Sequence, residues 1–404
     1  MAGRLRIVVA GGAGAMPFAG VAWQVMHYLE GFRRLGHEVF YLEDTQRWPY
    51  DPLAETVCDD SGPAIAYLAT LMARCGLEDA WCYRDVASGG LYGASERRLE
   101  QMLAGADLLV NLSGVMALRE EHLRVPVRVY LETDPVAPQI EIAKRSEFTI
   151  DFLGAHTHHV TYGENFGAPD CGVPLGLFEY EPTRPPVILD WWESRVAADP
   201  PAQPNSLQFT TVANWHQTAK DIVWRYRLLT WSKDVQFMPL LALARAVDAD
   251  IELALAGADD EVVTLLRAAG WRVRPAGPLS KDIDAYRDYI RSSAGEFSVA
   301  KEQYAALRSG WFSDRTACYL AAGRPAIVQD TGFGCALPTG EGLLPFSTVE
   351  QARAAFAVVL CDYARHCRAA RAIAAEYLRA ELVLGELLDY ASASPRPRVA
   401  RLPV

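Results

Sequence analysis

The chain has 404 residues, half of them hydrophobic, and a formal net charge of -11. This length suits two globular domains of roughly 150 to 200 residues, each with its own core. The acidic balance argues against a nucleic-acid partner or an anionic membrane surface, and no apolar run approaches the roughly 20 residues of a membrane span.

The first part of the chain alternates predicted strands and helices. The opening residues, MAGRLRIVVAGG, are typical of a strand over 5–10 and not of a signal peptide, so we expect a cytoplasmic protein. A glycine-rich turn, an amphipathic helix and a strand over 39–42 follow, and further strands are predicted over 107–112 and 127–131, with weaker candidates near 152 and 159–161. This alternation favours a parallel sheet, and we assign 1–178 to one Rossmann-like domain.

A proline-rich segment separates this domain from the next. Seven prolines lie between Pro174 and Pro204, a density that neither a helix nor a central strand tolerates. We therefore assign 179–206 to an interdomain linker. Its adjacent Trp191 and Trp192 are expected to pack against one of the domains.

The alternation resumes in the second half of the chain. Strands are predicted over 209–215, 251–257 and 271–277, and helices over 236–246, 260–269, 282–292, 348–360 and 363–379. We assign 207–380 to a second Rossmann-like domain. The segment 381–404 is interpreted as a partly disordered tail, because its end, SASPRPRVARLPV, has no periodic apolar pattern.

The most informative segment runs from 289 to 344. Ser313 is predicted to cap a helix over 314–322, which ends before Gly323 and leads into a strand over 326–328. Such a helix start offers backbone N–H groups and a positive dipole end to a phosphate. Arg315 opposes the dipole, so with Lys301 it is predicted to bind a diphosphate; the alternative is that both are solvated surface charges.

This segment, GWFSDRTACYLAAGRPAIVQDTGFG, resembles bacterial glycosyltransferases of the GT-B architecture that use nucleotide sugars (group 1-like). The resemblance extends over nearly the whole chain, through RIVVAGGAGAMPFAGVAWQVMHYLEGFRRLGHEVFYLE, TYGENFGAPDCGVPLG and FTTVANW. It implies an α/β fold with two Rossmann-like domains whose parallel sheets face each other across a cleft. The second domain would hold the nucleotide sugar and the first the acceptor.

The resemblance also assigns residues of the second domain to parts of the donor. It implies that the diphosphate faces Asn214 and Trp215, the nucleobase Gly277, Pro278 and Leu279, and the sugar Gln329, Asp330, Thr331 and Gly332. For the last group a simple turn is the alternative interpretation.

In the first domain the carboxyl ends of the predicted strands carry the candidate acid–base residues. Asp134 is the preferred general base for the acceptor hydroxyl, with Glu132 beside it, because a partly buried carboxylate can acquire a pKa near neutrality. An Asx-turn cap is the alternative for Asp134. His158, in the cluster of histidines at 156–159, is the other candidate, since the first glycine-rich loop contains no histidine.

That loop, GGAGAMPFAG at 11–20, is predicted to shape the acceptor side of the cleft through Gly12, Gly14 and Gly20. It fails the G-x-G-x-x-G pattern because Pro17 takes the place of the third glycine. Acidic residues at Glu43 and Asp44 nevertheless leave a nicotinamide enzyme as a weaker alternative.

The sequence also bears on two features of the reaction, its stereochemistry and its need for a metal ion or cofactor. Retaining members of the architecture carry two glutamates, and this chain has Gly310 and Cys318 in their places, so we expect inversion. Neither a D-x-D motif at a strand end nor a C-x-x-C pair is present, so no metal site and no cofactor beyond the sugar nucleotide are predicted.

The function predicted from the sequence is therefore a hexosyltransferase-like enzyme that moves a sugar from a nucleoside diphosphate sugar to a small-molecule or glycan acceptor. A nucleotide-sugar epimerase of the same fold and a non-catalytic sugar-nucleotide-binding partner protein are the alternatives. The sequence leaves open whether the protein forms a homodimer.

Overall fold

The structure is a computed structural model that describes residues 3–52, 54–193, 207–217 and 220–393. In this part of the chain two α/β domains follow one another, each built on a largely or wholly parallel sheet. None of the described helices combines the length and the apolar character needed to cross a bilayer.

The first domain begins with a strand, a glycine-rich turn and a long helix, as predicted. Its elements in chain order are β1 (Arg6–Ala10), α1 (Ala19–Arg34), β2 (Glu38–Glu43), β3 (Tyr50–Asp51), β4 (Thr56–Val57), α2 (Gly62–Arg74), β5 (Trp81–Arg84), β6 (Leu91–Gly93), α3 (Glu96–Ala104), β7 (Leu108–Leu112), α4 (Glu120–Leu123), β8 (Val127–Glu132), α5 (Ala137–Ala143), α6 (Glu147–Gly154), β9 (His158–Thr161) and β10 (Glu181–Pro182).

The first sheet has the strand order β10-β9-β8-β7-β1-β2-β5-β6, with only the edge strand β6 antiparallel to its neighbour among the described strands. Ile7 and Val9 belong to one apolar cluster and Val8 and Ala10 to another, so both faces of the sheet are covered. Strand order reverses at β1, which pairs with β2 on one side and β7 on the other. Ligands of open parallel sheets bind outside the carboxyl ends of the strands at such a reversal.

The second domain repeats this arrangement with a smaller sheet. Its elements are β11 (Gln208–Asn214), β12 (Ile222–Trp224), β13 (Arg227–Leu229), α7 (Asp234–Phe237), β14 (Asp250–Ala256), α8 (Asp260–Ala268), β15 (Arg272–Pro275), α9 (Gly277–Ser280), α10 (Ile283–Ser292), β16 (Gly295–Ser298), α11 (Glu302–Ala306), α12 (Asp314–Ala321), β17 (Ala326–Gln329), β18 (Leu343–Phe346), α13 (Val349–Cys361), α14 (Tyr363–Ile373) and α15 (Ala380–Ala391). The described strands of its sheet are all parallel, in the order β15-β14-β11-β16-β17-β18.

Two local predictions were wrong, and one element was missed. The weak strand near 152 is helix α6, whose N-cap is the Ser146 side chain. The helix predicted over 236–246 is broken into α7 and two short 3-10 turns, the first of which contains Pro239. The hairpin of β12 and β13, with Arg225 and Tyr226 at positive φ in its turn, was not predicted, because such a turn usually shows Gly or Asn.

The tail predicted from 381 begins with folded structure. A five-residue π-helical turn, Ala374–Leu378, precedes α15, whose buried residues pack on α1 of the first domain. A Cβ added to Gly31 on α1 would lie 2.4 Å from Leu384 Cδ1, so the two helices are in close contact. The last part of the predicted tail, 394–404, lies outside the described residues.

The linker is partly integrated into the first domain. Strand β10 pairs with β9, and Val187 forms a bridge with Arg379 beside the start of α15. Trp192 is fully buried: its ring centroid lies 5.0 Å from that of Trp23, and its indole N–H donates to His27 Nε2 at 3.2 Å. The packing predicted for this tryptophan is confirmed, whereas 194–206 lies outside the described residues.

Replacing Trp192 by Ala should lower the free energy of unfolding by about 3–5 kcal/mol, the range for truncating a large buried aromatic side chain. The matched control is Trp48→Ala, which removes a side chain of a residue that is 54% exposed and should change stability by less than about 0.5 kcal/mol. Urea denaturation followed by circular dichroism measures both. Equal midpoints for the two variants would show that this connection does not stabilise the fold.

Candidate active site in the interdomain cleft

The carboxyl ends of the two sheets face each other across a cleft of about 560 Å³. Polar and glycine residues of both domains line it: Gly12, Gly20, Gln24, Ser113, Thr133 and Asp134 from the first, and Lys220, Ser280, Tyr286, Ser313, Asp314 and Arg315 from the second. The architecture predicted from the sequence, two domains with sheets facing across a cleft, is confirmed.

The helix that was expected to face a phosphate starts in this cleft. α12 begins at Asp314, and the Ser313 hydroxyl accepts a hydrogen bond from Arg315 N at 3.3 Å. The predicted cap is therefore confirmed. The remaining N–H groups of the first helical turn have no partner within the helix.

Arg315 points from the first turn of α12 into the second domain. Its Nε donates to Glu296 Oε1 at 2.7 Å, its Nη1 to Val212 O at 2.7 Å and its Nη2 to Ser298 Oγ at 2.8 Å. Glu296 is completely buried and Arg315 nearly so. The unfavourable position of this cation in the helix dipole is thus explained by a buried ion pair. Three of the five guanidinium N–H groups are used, which leaves two for a ligand.

Lys301 and Asp134 form an ion pair between the two domains. Lys301 Nζ lies 3.0 Å from Asp134 Oδ1 and 3.2 Å from the centroid of the Trp231 ring, and the Tyr304 hydroxyl donates to the same carboxylate oxygen. Burial lowers the pKa of Lys301 to about 8, against the opposing attraction of Asp134. Lys301 is therefore not a solvated surface charge.

Asp134 lies at the cleft, as predicted, but its surroundings do not suit a general base. Although burial acts to raise it, the pKa of Asp134 is lowered overall by the charges of Lys301 and Lys220 and by the hydrogen bond from Tyr304. A carboxylate with a lowered pKa is a weak proton acceptor. The observed geometry instead makes Asp134 the counterion that keeps Lys301 charged.

Glu132 does not line the cleft and is corrected to a structural role. It is buried, and its carboxylate accepts hydrogen bonds from Gln139 Nε2 at 2.9 and 3.0 Å and from Thr161 Oγ1 at 2.6 Å. Gln139 Oε1 in turn accepts from Val136 N at 2.7 Å, where φ is +94°. Burial raises the pKa of Glu132 to about 8. This network fixes the strained loop that carries Asp134.

His158 also lies away from the cleft. It is buried, its Nε2 lies 3.1 Å from Ala393 O, and its ring meets the Tyr390 ring edge-on at 5.2 Å. His158 therefore faces the C-terminal helix, and His156 and His159 are also buried inside the domain. A histidine from this cluster has no access to an acceptor in this arrangement.

The glycine-rich loop of the first domain is fixed by hydrogen bonds to the buried carboxylate of Glu43. Gly12 and Gly20 line the cleft, whereas Gly14 donates from its backbone N to Glu43 Oε2 at 2.9 Å and is packed against Leu68. Glu43 also accepts from Tyr41 OH at 2.7 Å, and burial raises the pKa of this carboxyl to about 7.

The acids that suggested a nicotinamide enzyme are thus used within the first domain. Glu43 supports the loop, and Asp44 is paired with Arg119 Nε at 2.6 Å and with Arg84 Nε at 3.1 Å. Neither acid is free to bind a ribose hydroxyl, so this geometry gives the nicotinamide alternative no support.

The residues predicted to contact the donor sugar lie next to the cleft. Gln329 and Thr331 line a small cavity of about 20 Å³ that also borders Ser313 and Arg315. Asp330 is engaged by Arg308 Nη1 at 2.8 Å and by Gly332 N at 2.8 Å.

The remaining donor-side residues differ in how they are placed. Trp215 is buried and stacks on Phe237, so its side chain belongs to the core, whereas Asn214 is exposed at the end of β11. Gly277, Pro278 and Leu279 form the short helix α9 that ends at Ser280 on the cleft. Leu279 is buried, so it contributes to the apolar support of this edge.

Lys233 was not found from the sequence. It is 7% exposed, and its amine has no hydrogen-bond or ion-pair partner among the described residues. Burial, together with the charges of Arg315 and Lys301, holds the pKa of Lys233 well below its usual value. A buried amine beside two other cations is unfavourable unless an anion binds there, and only the fold brings the three together.

Asp314 was also missed, because an acid in the first turn of a helix is expected on dipole grounds alone. Its Oδ2 accepts from Gln24 Nε2 at 3.0 Å and its Oδ1 from Tyr162 OH at 3.2 Å, both from the first domain. Burial between the domains raises the pKa of Asp314 to about 7. Among the described residues that line the cleft, Asp134 and Asp314 are the acids, and each is held by residues of the opposite domain.

The described residues contain no group of three or more His, Cys, Asp or Glu side chains arranged to hold a metal ion. Arg315 lies in the first turn of α12, and its charge and that of Lys301 both act on the Lys233 amine.

Two Rossmann-like domains with facing sheets and a cleft between them define the GT-B architecture, and this chain has that fold. It is similar to AviGT4, a glycosyltransferase involved in avilamycin A biosynthesis, at 13% identity over 97% of this chain and 100% of that one, with a TM-score of 0.54. HepE of Anabaena, solved with UDP and glucose, is similar at 10% identity over 96% and 100% of the two chains, with a TM-score of 0.52.

An alpha-glucosyltransferase solved with UDP and a 13-mer DNA is similar at 10% identity over 97% of this chain and 100% of that one, with a TM-score of 0.56. No protein-family profile matches the chain, and no curated protein resembles it significantly in sequence. At these low identities the likeness to solved structures establishes the fold.

Replacing Arg315 by Met should lower the free energy of unfolding by about 3–5 kcal/mol, because it leaves the Glu296 carboxylate buried without its counterion. The double variant Arg315→Met with Glu296→Gln removes both charges and should recover most of that loss. Thermal and urea unfolding of the two variants measure the effect. Equal destabilisation of the single and the double variant would show that the pair is not the cause.

Proposed function

We propose that this protein is a glycosyltransferase that moves a sugar from a nucleoside diphosphate sugar to a small-molecule or glycan acceptor. The observation that carries the proposal is the group of three interacting cations Lys233, Lys301 and Arg315, of which Arg315 lines the cleft in the first turn of α12. AviGT4 is a glycosyltransferase and HepE has been solved with UDP-glucose, and both share this fold. They support a sugar nucleotide as the donor.

The donor diphosphate would bind where α12 begins. Ser313 caps the helix through one N–H group and leaves others for phosphate oxygens. Arg315 would supply positive charge through two N–H groups that no described residue accepts, and Lys301, paired with Asp134, would add to it. The Lys233 amine, which has no partner among the described residues, would take up a proton when the phosphate binds, because the anion offsets the repulsion that lowers its pKa. These groups would stabilise the negative charge that develops on the diphosphate when the glycosidic bond breaks.

The transfer would proceed with inversion and without a metal ion. At the positions of the two glutamates of retaining relatives stand Gly310 and Cys318, and a Cβ at Gly310 would meet Asn165 N at 2.2 Å, which leaves no space for an acidic side chain. The lysine and arginine cluster gives the leaving group the charge compensation that a divalent ion supplies elsewhere.

The acceptor would enter from the first domain, along Gly12, Gly20 and Ser113. Small residues at the loop let an acceptor come close to the backbone. On the donor side, Gln329, Asp330, Thr331 and Gly332 are proposed for the sugar and 277–279 for the nucleobase, as the resemblance implies.

A turnover assay tests this function. UDP-glucose and other nucleoside diphosphate sugars are incubated with the protein and a panel of phenols, alcohols and oligosaccharides, and released nucleoside diphosphate is measured. The anomeric configuration of the product, determined by NMR, should be opposite to that of the donor. Turnover should be equal with Mg²⁺ and with EDTA.

Donor incubated alone is the control for the alternatives. A new sugar isomer would identify an epimerase, and donor binding without turnover against the whole panel would identify a non-catalytic binding protein. The similar solved structures are glycosyltransferases and do not favour either alternative.

Replacing Lys233 by Met should weaken nucleoside diphosphate binding roughly 10- to 100-fold, the loss expected for a charge-assisted hydrogen bond. The same variant should be at least as stable as the wild type, because a buried amine without a partner is replaced by an apolar side chain of similar shape. Isothermal titration calorimetry with UDP and thermal unfolding measure the two effects.

The matched control for this lysine is Lys144→Met, which changes an exposed lysine of the first domain and should leave both quantities unchanged. Wild-type affinity in the Lys233 variant would show that the diphosphate does not bind beside this amine.

A further inference from the structure

The two carboxylates of the cleft have opposite surroundings. Asp134 faces the ammonium group of Lys301 at 3.0 Å and the Tyr304 hydroxyl, so it is held as an anion. Asp314 has no cationic partner in the described structure: the groups that donate to it are the amide of Gln24 and the hydroxyl of Tyr162, and both are neutral. Two acids in one site whose surroundings differ in this way take different roles in acid–base chemistry.

Hydrogen bonds from the first domain orient the Asp314 carboxyl group. Gln24 donates to Oδ2 at 3.0 Å, and its amide oxygen accepts from Ser113 Oγ at 3.3 Å. Ser113 Oγ lies 2.7 Å from Thr133 Oγ1, so this part of the network continues along the acceptor side of the cleft. A carboxyl group fixed between acceptor-side hydroxyls and the start of α12 is placed between the two substrates of the proposed reaction.

We propose that Asp314 is the general base of the transfer reaction. The inference rests on the proposed function and deepens it by assigning the proton transfer. The acceptor O–H bond breaks and its proton passes to the Asp314 carboxylate, while the acceptor oxygen forms a bond to the anomeric carbon. The bond between that carbon and the phosphate oxygen breaks, and its electron pair leaves with the nucleoside diphosphate. Solvent takes the proton from Asp314 after product release.

The electrostatic surroundings of Asp314 support this role. Burial and the negative charge of Asp134 raise the pKa of Asp314 to about 7, against the hydrogen bonds from Gln24 and Tyr162. Burial also raises the pKa of Tyr28 and Tyr162, which lie 3.0 Å apart, and of Cys318 on the same helix, so these groups are neutral.

The residue after Asp314 in the chain, Arg315, is a cation. Its Nε donates a hydrogen bond to Glu296 Oε1 at 2.7 Å, so its charge is compensated by Glu296. Asp314 is therefore the cleft carboxyl group whose ionisation changes near neutral pH, which is the condition for an efficient general base.

The substitution Asp314→Asn separates catalysis from donor binding. It removes the proton acceptor, so kcat should fall roughly 100- to 10,000-fold, the usual contribution of a general base. It also removes a negative charge at the start of α12, so UDP should bind equally well or more tightly, by calorimetry. A merely structural residue would lower both together.

The pH dependence gives a second readout. Wild-type kcat/KM should fall tenfold per pH unit below about pH 7, and D314N should lose this limb. D134N should keep it, whatever its turnover. The loss in D314N should be much smaller for acidic phenols than for alkyl alcohols, because an acidic acceptor depends less on the base.

Measurements of stability test the raised pKa of Asp314 independently of enzyme activity. Since the pKa of Asp314 is raised to about 7, the wild type should lose more stability than D314N as pH rises from about 4 through 7; Glu43 and Glu132 contribute the same loss to both proteins. The Tm of D314N should therefore rise relative to the Tm of the wild type between pH 5 and pH 8.

Three results would overturn the assignment. They are an acidic limb that persists in D314N, equal losses for phenols and alkyl alcohols, or a loss of UDP binding that matches the loss of turnover. Failure of the wild type to bind any nucleoside diphosphate would overturn the proposed function and the assignment with it.

Discussion

Each acid on the cleft is bound by the domain to which it does not belong, and this reciprocal arrangement determines the site. Asp134 of the first domain is paired with Lys301 of the second, and Asp314 of the second accepts hydrogen bonds from Gln24 and Tyr162 of the first. Contact with the opposite domain supplies the partners of both carboxylates. The charges that a substrate meets are therefore properties of the assembled cleft and not of either domain alone.

Buried acids also hold two of the loops that line the cleft on the side of the first domain. Glu43 accepts backbone N–H groups of Gly14 and Ala15 at 2.9 and 2.5 Å, and Glu132 is bonded to Gln139, which supports Val136. Burial raises the pKa of both glutamates, to about 7 and about 8. Irregular backbone next to a binding site has few partners of its own, and these side chains provide them.

The sequence predicted those features of the fold and the site that are encoded by residues close to one another in the chain. The cap at Ser313, the helix that follows and the alternation of strands are encoded by neighbouring residues, and they were predicted correctly. Asp134 was named because it follows a predicted strand end and Lys301 because it lies just upstream of Arg315, and the structure pairs the two. Lys233 and Asp314 were not, since their surroundings are set by residues distant in sequence. Glu132 and His158 were placed wrongly because side chains leave a strand end on either face, and the sequence does not show which face turns inward.

The contact between the C-terminal helix and the first domain has a consequence for synthesis of the chain. Helix α1 belongs to the N-terminal sheet, yet Leu384, Leu387 and Leu388 of α15 complete the apolar cluster around it. On the ribosome the first sheet emerges with one side of α1 still exposed to water, and this surface is covered only when residues near 391 have been translated. The packing of the N-terminal half is thus incomplete until α15 has been translated, and chains released before that point would expose an apolar surface.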